Sequence, residues 1–118
     1  MTLERLREHC LSKKGTSEDT PFGETTLVFR VGQKMFALTG LDPPELSINL
    51  KCAPERAIEL REQYPAIKPG WHMNKKHWNT VNTEELFDDE LLKELIDHSY
   101  DLVFQSLKKS DREKILSK

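Results

Sequence analysis

Between Gln63 and Thr83 the chain has no aspartate and no glutamate. This gap lies in a protein of 118 residues whose 20 acids outnumber its 18 lysines and arginines. Formal charge is −1 over residues 1–62, +3 over residues 63–83 and −4 over residues 84–118. A protein that neutralises phosphates over its whole surface is strongly basic, so a net charge of −2 excludes that design and leaves a local patch as the only footing for nucleic acid.

Cysteine is scarce too. Cys10 and Cys52 are too few and too far apart for a disulfide framework or a zinc cluster, and they read as reduced thiols on buried faces. No apolar run approaches the roughly 20 residues that cross a bilayer. Glu4, Arg5, Arg7 and Glu8 interrupt any signal-peptide core at the start, so a cytoplasmic location is expected. The chain also lacks a glycine-rich phosphate loop, a Gly-x-Ser-x-Gly elbow, a His-Glu-x-x-His pair and a Cys-x-x-Cys pair. The expectation is a protein that is not an enzyme and carries no cofactor. Without repeats, linkers or low-complexity tracts, its length fits one domain over residues 1–118.

What is present has clear periodicity. Leu3, Leu6, Cys10 and Leu11 form one stripe of a helix over 3–12, with Thr2 as its N-cap and Gly15 beyond its end. A polar loop through Ser17, Glu18 and Asp19 leads to Pro21-Phe22-Gly23, a turn in which Phe22 is expected to act as an apolar plug. Thr25 to Gly40 reads as a hairpin about a type II′ turn at Gly32-Gln33. Pairing Val31 with Lys34 puts Leu27, Phe29, Val31, Phe36 and Leu38 on one face. Thr26, Val28, Arg30, Met35, Ala37 and Thr39 fall on the other.

After an extended turn at Asp42-Pro43-Pro44, Leu46 to Cys52 alternates as a third strand, with Ser47, Asn49 and Lys51 extending the face of Arg30. Ala53 to Gln63 returns to helical spacing, with Ala57, Ile58 and the stem of Arg61 inward, and Tyr64-Pro65 ends it. Asp88 to Lys109 is a long amphipathic helix with Leu92, Leu95, Ile96, Ser99, Val103 and Leu107 on its stripe; Asp111 to Leu116 adds a short one. One or two further strands fit between the second helix and the long one. The fold class is therefore α+β, an antiparallel sheet with helices on one face in the order α-β-β-β-α-β(-β)-α.

Several segments together resemble the MmcQ/YjbR family of small bacterial proteins. They are the Pro-Phe-Gly turn before Leu27-Val28-Phe29, the run Lys34-Met35-Phe36-Ala37-Leu38, and Ile48-Asn49-Leu50-Lys51-Cys52-Ala53-Pro54. Leu60 to Pro65 and the block Pro69-Gly70-Trp71-His72-Met73-Asn74-Lys75-Lys76-His77-Trp78 complete the set. The resemblance spans nearly the whole chain and implies a frataxin-like (CyaY-like) fold, described for the family as a double-wing DNA-binding motif. It departs at Asn82-Thr83-Glu84-Glu85, where relatives carry a Tyr and a Leu-Asp-Gly turn.

The candidate binding residues are Arg30, Asn49, Lys51, Lys68, Trp71, His72, Asn74, Lys75, Lys76, His77 and Trp78. The cations would pair with phosphates, the rings would stack on unpaired bases and the amides, with that of Asn79, would meet base edges. The partner implied is DNA or another nucleic acid, bound weakly and with strong salt dependence. The alternative is a protein partner docked on the open sheet face with Trp78 as anchor. A third reading is structural: the tryptophans pack at the core rim while His72 and Asn74 tie an irregular loop. His72 and His77 with Cys52 make a weak metal set, and no acid stands nearby in sequence to complete it. A frataxin-like fold draws attention to Glu4, Glu8, Glu18 and Asp19 as iron ligands, but Arg5, Arg7, Lys13 and Lys14 are interleaved with them. No metal site and no membrane contact are expected.

Overall fold

A computed structural model describes residues 1–41, 45–70 and 73–117. The Asp42-Pro43-Pro44 turn, Trp71 and His72 lie outside the described residues. In chain order the elements are α1 (Leu3–Leu11), β1 (Thr16–Asp19), β2 (Thr26–Val31), β3 (Lys34–Gly40), β4 (Ser47–Lys51) and α2 (Pro54–Gln63). They continue with β5 (Ile67–Pro69), β6 (Trp78–Asn82), α3 (Thr83–Leu86), α4 (Asp89–Ser106) and α5 (Lys109–Leu116). The strands form one antiparallel sheet in the order β1-β2-β3-β4-β6-β5. The fold is α+β, as the sequence pattern predicts.

One face of the sheet holds the core. Phe29, Val31, Phe36, Ala37, Ile48, Leu50, Ile67 and Val81 pack with Leu6 and Cys10 of α1, Ala57 and Leu60 of α2, and Leu92, Leu95, Ile96 and Val103 of α4. Spacings of three and four along α4 make its stripe, and this helix lies across β2, β3 and β4. Burial pushes the Cys10 thiol up to about 12 and raises that of Cys52, so both thiols are inert, as their alternation with core residues indicates.

Four expectations need correction. First, Thr16–Asp19 is an edge strand rather than a loop, paired with β2 from Thr16↔Val31 to Asp19↔Val28. Its sequence has no apolar alternation because backbone pairing and ion pairs hold it instead: Arg7 pairs with Glu18, whose carboxyl it holds below the ordinary range, and Arg30 with Asp19. Second, the β2–β3 register slips. Arg30 pairs with Met35 but Phe29 pairs with Ala37, so Phe36 is the extra residue of a bulge. Beyond the bulge every side chain changes sides, which puts Ala37 and Thr39 on the helix face and Leu38 on the open one. Third, Ile58 is 54% exposed and Leu60 takes the inward place beside Ala57. Fourth, α4 stops at Ser106. Leu107 turns out of the helix against Gly32, and Arg112 Nη1 caps the end by donating to the carbonyls of Gln105 (3.0 Å) and Leu107 (2.7 Å).

The hairpin turn forms as expected, with Gly32 at φ 59° and no positive φ at Gln33. Thr2 caps α1 by accepting from Arg5 N at 3.2 Å. At the departure from the family pattern, Asn82 caps α3 by accepting from the amides of Glu84 (3.0 Å) and Glu85 (3.2 Å). Among the described residues no helix is long and apolar enough to cross a membrane.

Candidate functional site

Opposite the helices, the sheet has an open face whose residues follow from the register. Arg30 pairs with Met35 at one end of the strands, and Lys51 pairs with Trp78 at that same end. The next row runs Val28, Leu38, Asn49, Thr80 and Lys68 across five strands. A third row carries Thr26, Gly40, Ser47 and Asn82. Alternation thus places Arg30, Asn49, Lys51, Lys68 and Trp78 on one side of the sheet.

A groove of about 730 Å³ runs over this face. Phe22, Met35, Leu38 and Met73 supply apolar groups; Thr26, Ser47, Asn49 and Thr80 supply polar ones, and Thr39 and Gly40 complete the lining. None of these residues is charged. Phe22 is 63% exposed, so it is not the buried plug its sequence context suggests but part of the groove's rim. In the floor the Thr80 hydroxyl donates to Asn49 Oδ1, and among the described residues the two N–H groups of Asn49 Nδ2 have no partner.

The basic block forms a turn after the close approach of two strand ends. Gly70 N donates to Trp78 O at 2.8 Å, and a Cβ at position 70 would meet the Trp78 Cβ at 2.8 Å, so only glycine fits there. Asn74 then organises the turn: its carbonyl accepts from His77 N (3.1 Å) and Trp78 N (2.9 Å), and its Oδ1 accepts from Lys76 N at 2.9 Å. Arg61 of α2 fastens the turn from behind. Its guanidinium donates to Asn79 Oδ1 at 2.6 Å, to Trp78 O at 3.3 Å and to Lys75 O. Asn79, 3% exposed, is therefore a scaffold residue with its amide turned to Arg61 and to Ala57 O, unavailable to a base edge.

The candidate residues separate accordingly. Lys68, Lys75 and Lys76 are exposed and Lys51, His77 and Trp78 half-buried. Among the described residues no ion pair engages any of these four lysines, although Lys75 Nζ donates to Gly70 O at 3.2 Å. Arg30 is committed: it donates to Asp19 Oδ1 at 3.3 Å and to Gln33 O at 3.1 Å. Asn74 is spent on the turn. Trp71 and His72 fall outside the described residues. Alternation in β4 and β6 points to Asn49, Lys51 and Trp78; nothing comparable marks Phe22, Leu38 or Met73, which reach the groove through a loop or the bulge. Among the described residues no group of three His, Cys, Asp or Glu side chains is arranged to hold a metal ion.

A family model described as YjbR matches residues 11–102. The chain belongs to the YjbR family. Among YjbR relatives, YbdF of Escherichia coli O157:H7 is 41% identical over 80% of this chain and 78% of its own length. YjbR of E. coli K12 is 30% identical over 85% of each chain. The crystal structure of the Deinococcus radiodurans protein DR2400 superimposes with a TM-score of 0.90 at 41% identity, covering 97% of this chain and 87% of that one. A Pseudomonas syringae protein gives 0.74 at 28% identity over 86% and 98%. The names of the relatives YbdF and YjbR assign no activity.

Proposed function

We propose that the open face binds nucleic acid and that the protein acts as a binding module rather than an enzyme. The observation that carries this reading is the set of lysines on and beside this face that no acid pairs with among the described residues. Lys51 sits two residues from Asn49 on β4, a rise of about 7 Å, and Lys68 lies directly across from Thr80. Lys75 and Lys76 lie exposed in the turn that leads into β6, with Lys75 Nζ also donating to Gly70 O. This is the acid-free segment of a chain that is otherwise net acidic, so a polyanion is steered to one edge of the sheet and repelled elsewhere.

Four phosphate contacts would give an affinity that falls about a hundredfold between 50 and 200 mM salt. Fluorescence anisotropy of a labelled oligonucleotide measures this directly. The expected result is binding at low salt that is lost in the triple variant Lys51→Glu/Lys68→Glu/Lys76→Glu, whose circular dichroism stays native. Absence of binding at low salt, or binding that the triple variant retains, rejects the reading.

The absence of charge among the groove's described lining favours a second occupant, an apolar segment of a protein partner, with Trp78 on the same face as its anchor. That reading expects affinity with little salt dependence and a large loss in Trp78→Ala.

A further inference from the structure

We infer that the groove receives an unpaired base, so that the ligand is single-stranded. This rests on the nucleic-acid reading of the same face and adds what the groove contributes to it. Cations lie near a cavity whose described lining carries no charge, with apolar groups from Phe22, Met35, Leu38 and Met73 and the Asn49 amide among that lining. A duplex presents charge on its outside and hides the flat faces of its bases, so it leaves such a groove empty. A single strand alternates charge with exposed flat rings and matches the alternation of lysine and neutral groove.

Phe22 is held at the rim with 63% of its surface in water, where it has a ring face to offer and little packing to lose. Asn49 Oδ1 is occupied by the Thr80 hydroxyl, which leaves Nδ2 to donate to a carbonyl or ring-nitrogen acceptor of the base. The lysines hold the backbone without regard to sequence. The groove supplies the discrimination between a base that can enter and one that is paired.

The test compares three fluorescent ligands of equal length at 50 mM salt: a thymidine strand, the same strand with abasic positions, and a duplex. The thymidine strand is expected to bind at least tenfold more tightly than either of the others. Phe22→Ala, at an exposed position that leaves the core intact, is expected to weaken it by about five- to hundredfold, the range for loss of one stacking contact. Binding of the abasic strand stays unchanged in that variant. Equal affinity for all three ligands overturns the inference while leaving the nucleic-acid reading standing, and so does a thymidine affinity insensitive to Phe22→Ala. No binding of any of the three rejects both. A peptide of matched negative charge with phenylalanine side chains that outcompetes the strand assigns the groove to a protein partner.

Discussion

The two faces of this sheet are built from the same strands and held by opposite means. On the helix face the side chains are enclosed, the polar groups among them are spent on one another, and the ionisable groups are suppressed by burial. On the open face the described lining of the groove carries no charge, the lysines near it have no acidic partner among the described residues, and Thr80 and Asn49 in its floor bond to each other. The difference is produced by alternation along each strand, so a single inserted residue at Phe36 is enough to transfer Leu38 from one environment to the other.

Truncation separates the faces most sharply. Phe29 is fully buried in the core beneath α4, and Phe29→Ala removes its contacts and leaves a cavity, an expected loss of about 3 to 5 kcal/mol. Phe22→Ala on the open face is expected to lower stability by no more than about 0.5 kcal/mol, as for an exposed position outside any network. Urea unfolding of the two variants decides it. Comparable losses would show that the open face is a second core rather than a surface.

A smaller effect is expected where the helix face repairs its own bulge. The β3–β4 ladder pairs Ala37 with Leu50, Leu38 with Asn49 and Thr39 with Ile48. The next rung is carried by a helix side chain: the hydroxyl of Ser99, fully buried in α4, accepts from Lys51 N at 2.9 Å and donates to Phe36 O at 2.6 Å. Ser99→Ala leaves both backbone groups unsatisfied in the interior, for an expected loss of about 1 to 3 kcal/mol in thermal or urea unfolding. Ser99→Cys keeps a weak donor and acceptor at similar volume and is expected to fall between. An alanine variant as stable as the parent would mean that the strands close up and make the rung themselves.

These particulars mark how far the sequence could be read. Period-two alternation in β2 and β4, the three-and-four spacing of α4, the Thr2 cap and Gly32 at its turn each have a local physical cause, and each is where the pattern places it. The bulge has no such cause within the strand, since what makes it tolerable is Ser99, distant in the chain. Likewise β1 reads as a loop because its partners are Arg7 and Arg30, and the break after Ser106 has no glycine to announce it because Leu107 and Arg112 enforce it. For the site, alternation was enough to gather Asn49, Lys51 and Trp78. The groove needed the bulge and the position of Phe22, and both depend on tertiary packing. In the basic block the structural reading of Asn74 as the tie of an irregular loop holds, and what the sequence did not show is that Asn79 joins it through Arg61 rather than facing a base edge.

The subtlest difference between the faces is their response to acid. His98 on α4 accepts a hydrogen bond at Nε2 from Ala53 N, the residue before α2, at 3.3 Å. Burial lowers its affinity for a proton, and the nearby Arg56 guanidinium lowers it further, so the folded protein keeps this imidazole neutral below the ordinary 6.5. The unfolded chain therefore takes up the proton first. The contribution of His98 to stability is complete above the unfolded value and is lost as pH falls from there through the folded one. Protonation places a second N–H against the amide it was accepting from, and the link between α4 and α2 is broken. Melting temperature measured from pH 7.5 to 5 is expected to fall more steeply in the parent than in His98→Gln, which cannot titrate. Parallel curves would show that the bond to Ala53 tolerates the charge and that the helix face has no acid-sensitive contact at this position.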